Sequence, residues 1–190
     1  TSTFRDMYEA VPGDLPNPNN RLPNCGNITG CNPGAIATLG NNRVDSAFNA
    51  APTAEGIAFW VQLSTADLIS GIDATRGAVW GGQFPQAEIA GGYHVAYWAG
   101  NAVLPSNVSG VAANTRSGHY LALHGTQNGS VANTGVMNAN AAARIDRKID
   151  DGVANSGSVL SAGAAACNNA TGLYAESTEG DNCNLYIRFQ

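Results

Sequence analysis

The chain has 190 residues, 12 % of them charged and 44 % apolar, with a formal net charge of −5 and a pI near 4.9. That acidity argues against a nucleic-acid binder held through phosphates, and against a protein held to an anionic membrane face by charge alone. No run of about 18 or more apolar residues occurs, so the chain as given contains no membrane-spanning stretch.

The length fits one domain with a real core over residues 1–190. Its 23 glycines, with asparagine in nearly every turn-like segment, assign much of that domain to loops. Four cysteines fall as two local groups, Cys25 with Cys31 and Cys167 with Cys183. Their even number and clustering suggest two short disulfide loops and an oxidising, exported setting, although three connectivities fit the sequence. A zinc site is disfavoured, because there is no CxxC and no histidine near either group.

In chain order, residues 3–10 predict a short helix, with Phe4, Met7 and Val11 on one stripe and Pro12–Gly13 as its stop. So short a helix is marginal alone and needs a continuation or a docking surface. Residues 12–53 read as loop, rich in proline and asparagine and stapled around Cys25–Cys31. The stretch NCGNITGCNPG has no carboxylate, so a calcium loop is not expected there. A second helix is expected over 54–72, capped by Thr53, with Ile57, Trp60, Val61, Leu63, Leu68 and Ile69 facing a core.

Residues 93–98, 119–124 and 184–189 alternate in the manner of strands, and 171–175 offer a fourth, shorter one. In the last strand the pattern places Leu185, Ile187 and Phe189 inward and Tyr186 and Arg188 outward. The order, with helices first and an antiparallel sheet later, defines an α+β fold.

The most patterned segment is 138–152, read as a helix started by Asn138 or Asn140, with Gly152 as its left-handed exit. Ala142, Ile145 and Ile149 form a narrow apolar stripe, and Arg144, Asp146, Arg147, Lys148, Asp150 and Asp151 form the polar side. Asp150 and Asp151 sit at the negative end of the helix dipole, which costs about 0.3–1 kcal/mol each unless compensated. The turn GVANSGS just beyond supplies free N–H groups, so the aspartates are expected to hold their own loop.

The block ARIDRKIDDG…NSGSV resembles sequences in prepilin-type proteins, the subunits of type IV pili and of type II secretion pseudopili. FRDMYEAVPGDLPN, AEGIAFWVQLSTADLISGI and CNLYIRF resemble the same group, in the same order, and together these stretches touch about a third of the chain. The resemblance implies a pilin-like plan in which the end of an N-terminal helix lies on an antiparallel sheet of about four strands. It also implies a disulfide between Cys167 and Cys183 closing a C-terminal loop, and an apolar helix upstream of FRDMYEA that anchors the precursor in the inner membrane. The implied partners are other copies of the chain, other pilin subunits and the inner-membrane assembly machinery, in an extracellular or periplasmic filament. The residues singled out for assembly are Phe4, Met7 and Tyr8. Arg144, Asp146, Arg147, Asp150 and Asp151 are expected to fix the fold around the helix.

Enzymatic constellations are lacking: there is no GxSxG, Walker loop or HExxH, and the glycines of GGQFPQAEIAGGY are not at dinucleotide spacing. The carboxylates around Glu176, Glu179 and Asp181, like Asp150–Asp151, read as structural rather than as a glycosidase pair. His119 and His124 point to opposite faces of one strand, whereas His94 and His124 meet only if register allows; all three are expected at the surface or half-buried. No cofactor is assigned, and a weaker reading places calcium at Asp150, Asp151 and Asn155. The sequons at Asn27, Asn107, Asn128 and Asn169 carry no weight in so asparagine-rich a chain. The rival function is a secreted carbohydrate-binding module with an aromatic platform of Trp80, Tyr93, Tyr97 and Trp98.

Overall fold

A computed structural model describes residues 1–34, 38–45, 54–100, 115–126, 135–163, 166–169 and 171–190. Thr53 and the sequons at Asn107 and Asn128 lie outside them. The chain is α+β, with helices α1 (Ser2–Tyr8), α2 (Pro18–Arg21), α3 (Glu55–Thr65) and α4 (Ala139–Ile149). Its strands are β1 (Gly92–Trp98), β2 (Gly118–His124), β3 (Val159–Gly163) and β4 (Cys183–Arg188). They form one antiparallel sheet of order β1-β2-β4-β3.

The alternating segments are β1, β2 and β4, as their pattern predicts. The fourth strand is β3, whereas residues 171–175 contribute only an isolated bridge between Asn168 and Tyr174. The last strand also departs from its expected orientation. Leu185 is buried, but so is Tyr186 (3 % exposed), while Phe189 is 40 % exposed. Both sheet faces are covered, so alternation here separates two buried faces rather than an inside from an outside. One face carries Ala96, Tyr120, Ala122, Leu160 and Tyr186. The other packs Leu123, Val159 and Leu185 against Ala139 and Ala142 of α4.

A second core joins α1, α3 and β1 through Phe4, Leu15, Ile57, Phe59, Phe84 and Val95. Helix α1 stops at Tyr8, before the Pro12–Gly13 pair, because Glu9 turns left-handed (φ 53°). Helix α3 likewise ends at Thr65, short of residue 72, and Asp67 is left-handed (φ 58°). Leu68 and Ile69 therefore lie beyond the helix, yet both still pack on the core. The segment expected as uninterrupted loop holds α2 and a 3-10 turn at Cys25–Asn27. Gly13 (φ 88°) has no room for a Cβ, which would collide with the Glu55 carbonyl and the Phe59 backbone.

Two fully buried carboxylates that the sequence pattern does not mark organise residues 38–45. Asp14 accepts from the N–H groups of Gly40 and Asn42, and Glu55 accepts from the Thr38 hydroxyl and the Asp45 N–H. The loop in turn covers the outer edge of β1, where Tyr97 donates its N–H to the Val44 carbonyl (2.8 Å).

Candidate functional site

Helix α4 begins as expected: the Asn138 side chain accepts from the Ala141 N–H at 2.8 Å. It ends at Ile149, and its three aspartates hold the turn and strand beyond it. Asp150 accepts from the Ser158 and Val159 N–H groups, which fixes the start of β3. Asp151 accepts from the Val153 N–H (2.8 Å) and the Ser156 hydroxyl (2.6 Å). Asp146, fully buried, accepts from the Gly152 N–H (3.1 Å) and the Tyr174 hydroxyl (2.7 Å). Gly152 is left-handed (φ 76°), but it lies in the turn beyond the helix, which exits earlier than expected, at Ile149 with Asp150 (φ −143°) as its cap.

The turn therefore takes up the adverse charge at the helix end. Arg147, which helical spacing would allow to reach the aspartates, pairs instead with Glu176. Arg144 and Lys148 are exposed on the outer side of α4. Burial pushes the Asp146 carboxyl above its ordinary range, against the lowering pull of the Tyr174 hydrogen bond. Tyr174 is pushed strongly upward, by burial first and then by Asp146.

Both expected disulfides are present, Cys25–Cys31 and Cys167–Cys183. The second ties β4 to a loop that is itself clasped onto α4 by Tyr174 and Glu176. The Ser161 hydroxyl contacts Cys167 Sγ at 3.1 Å and donates to the Asn184 carbonyl at 2.9 Å.

The oxygen donors of the weaker calcium reading, Asp150, Asp151 and Asn155, are not the set that converges. Among the described residues, Asp146, Asp150 and Asp151 bring one oxygen each within 4.8 Å of one another, while Asn155 faces Gly172. Each of the three carboxylates already receives donors from the chain, so the donor set fits a loop clasp better than an ion cage.

In α1, Phe4 is fully buried and packs, tilted, on the half-buried Tyr8 at 4.6 Å between ring centroids. Met7 points outward and is 56 % exposed. The three expected junction residues thus divide, with Phe4 as anchor, Tyr8 as bracket and Met7 as free surface.

All three histidines are buried, contrary to expectation. His94 and His124 do converge, with centroids 6.3 Å apart. Trp80 and Phe84 flank His94 at 5.0 and 4.5 Å, and this burial pushes its pKa down to about 4. His124 is lowered by burial as well, and its Nδ1 accepts from the Thr126 N–H. His119 Nε2 accepts from the Val44 N–H at 3.2 Å. Imidazoles that accept backbone N–H groups in a dry setting are held neutral.

The aromatic platform does not assemble. Tyr93 and Tyr97 lie on the sheet face opposite Trp98, which is only 8 % exposed, and Arg43 covers the Tyr97 ring. Gln62 and Gln83 are further buried groups that hydrophobic patterning hides. Gln62 Oε1 accepts from the Gly13 N–H and its Nε2 donates to the Cys31 carbonyl (3.0 Å), fastening the first disulfide ring to α3. The sequence signal for Gln62 is a polar residue inside an otherwise apolar run, whereas Gln83 sits in a Gly- and Pro-containing stretch and carries none.

No family model matches the chain, and neither a curated protein nor a solved structure does. No helix among the described residues is long and apolar enough to cross a membrane.

Proposed function

We propose that this domain is the globular part of a structural subunit, of the type IV pilin or secretion-pseudopilin kind, that works by assembly into an extracellular or periplasmic filament. The observation that carries the reading concerns the block resembling prepilin-type proteins. Its charged groups Asp146, Arg147, Asp150 and Asp151 are engaged in the domain's own scaffold, holding a turn, a strand start and a disulfide loop. A module of that kind sets a shape, and shape is what a packing subunit contributes. Two disulfides suit an oxidising compartment.

In this reading an apolar helix upstream of α1 anchors the precursor in the inner membrane, engages the assembly machinery and then packs with its copies in the filament core. Phe4 fixes the angle at which that helix leaves the domain, while Met7 faces the neighbouring subunit. The test is the encoding gene and the assembled product. A short basic leader running into about twenty apolar residues before Thr1, with filaments visible by electron microscopy on expression of the full chain, is the expected result. An ordinary secretory signal peptide cut just before Thr1 overturns the proposal.

A further inference from the structure

The Cys25–Cys31 ring, the last turn of α3 and the 3-10 turn at Ala74–Arg76 flank a solvent-open cleft of about 530 Å³. Ile28, Val61 and Ile72 supply apolar lining. Asn27, Thr29, Ser64 and Asp73 supply the polar lining. The side chains of Asn27, Thr29 and Ser64 have no hydrogen-bond partner among the described residues, Asn27, Thr29 and Asp73 face solvent and Ser64 is half-buried, and Asp73 holds Thr75 through Oδ1 and leaves Oδ2 open to the cleft.

The walls are tied together beforehand. Gln83, 1 % exposed, donates through one Nε2 to the Thr29 carbonyl of the ring (2.8 Å) and the Ala74 carbonyl of the facing turn (3.3 Å). Gln62 fastens the same ring to α3. Gly30 (φ 84°) lets the ring close down, since a Cβ there would stand 2.7 Å from Ile57 and 3.0 Å from Gln83 Nε2. Two buried amides and a disulfide thus hold open a cleft whose free polar groups point to no protein partner.

We propose that this cleft binds a neutral saccharide unit. An amide, hydroxyls and one open carboxylate oxygen match the donors and acceptors of a polyhydroxyl ring, and the aliphatic lining accepts its C–H face. No lysine or arginine lines the cleft, which disfavours an anionic ligand, and a single carboxylate disfavours a divalent cation. The cleft shares no residue with the helix junction or the α4 clasp, so saccharide binding there survives failure of the filament proposal.

The test is titration of the isotope-labelled intact protein with neutral disaccharides (maltose, cellobiose, lactose and chitobiose), followed by amide NMR. At least one sugar is expected to give saturable shifts confined to residues 27–29, 64–65 and 73–75. Asp73→Asn keeps an oxygen for Thr75 and should weaken that binding about tenfold, the loss of one charge-assisted hydrogen bond. Ser64→Phe, which fills the cleft from the helix side, should abolish it while the remaining amide spectrum stays folded. Absence of saturable shifts with every sugar, shifts centred elsewhere, or binding that survives Ser64→Phe overturns the proposal.

Discussion

Substituting Asp150 by alanine sets two effects of opposite sign against each other. The carboxylate sits just past the C-terminal end of α4, where the dipole makes a negative charge unfavourable by about 0.3–1 kcal/mol. The same carboxylate accepts from two N–H groups at the start of β3, those of Ser158 and Val159. Hydrogen bonds to a charged acceptor contribute about 1.5–3 kcal/mol, and a buried donor left without a partner costs about 1–3 kcal/mol. Val159 is fully buried, so water cannot readily replace the lost acceptor. The hydrogen bonds win, and Asp150→Ala should destabilise the domain by about 2 kcal/mol. In a chain of this size that lowers Tm by about 4–8 °C. Urea unfolding of the oxidised protein reads the total, and amide hydrogen exchange should show Ser158 and Val159 losing protection first. Asp150→Asn keeps an oxygen and should lose about half as much. An alanine variant within about 0.5 kcal/mol of the parent, or more stable than it, would refute the loop-clasp account and leave the dipole as the dominant effect.

Two buried groups give the pH dependence of stability opposing slopes. His94 titrates near 6.5 when unfolded and at about 4 when folded, so its contribution is complete above 6.5 and is lost, by about 3 kcal/mol, as pH falls to 4. Glu55 behaves in reverse, since burial raises its pKa from 4.5 to about 7. Its contribution is complete below 4.5 and is lost, again by about 3 kcal/mol, as pH rises through 7. The two slopes largely offset one another where they overlap, so Glu55→Gln should uncover a steeper rise in the urea midpoint between pH 4.5 and 6.5; a profile parallel to the parent's would remove Glu55 as the opposing group. Removing Cys167–Cys183, which spans 16 residues, should cost about 3 kcal/mol, against about 2 for Cys25–Cys31, which spans 6, with equal costs contradicting the loop-entropy account. Phe4→Ala should cost about 3–5 kcal/mol by urea unfolding, and a cost below 1 would deny it the role of anchor. Met7→Ala should stay within about 0.5 kcal/mol while reducing assembly of the full chain, and a stability loss at Met7 would count against its being free surface.

Much of the scaffold is legible in the sequence because local patterns and tertiary needs agree there. β1, β2 and β4 alternate, α4 carries a cap at Asn138, and the clustered cysteines pair locally. β3 escapes such reading because VLSAG has no polar alternation, with Val159, Leu160, Ser161 and Ala162 all buried. The pattern points Tyr186 outward because alternation reports two faces without saying whether one is wet. Asp14 and Glu55 leave no mark because a carboxylate at a loop or a helix start ordinarily reads as solvated, and their burial depends on a loop closing over them. His94 and His124 meet only through the register of β1 on β2, which pairs His94 with Ala122 and Gly92 with His124. The clasp at the end of α4 is readable as a loop-holding turn, but Tyr174 and Glu176 reach it from 28 and 29 residues away and have no local signal.

The strand order constrains how the chain is made. β4 pairs with both β2 and β3, yet it comes after them and α4 in sequence, so a chain emerging from its N-terminal end has β2 and β3 waiting without their shared neighbour. The Cys25–Cys31 ring needs only seven consecutive residues and can be oxidised early. Cys167 can meet Cys183 in its native setting only when β4 enters between the waiting strands, so oxidation of that pair reports completion of the sheet. A chain stalled before β4 would expose the edges of both partners at once, which leaves the partly folded domain prone to edge-to-edge association.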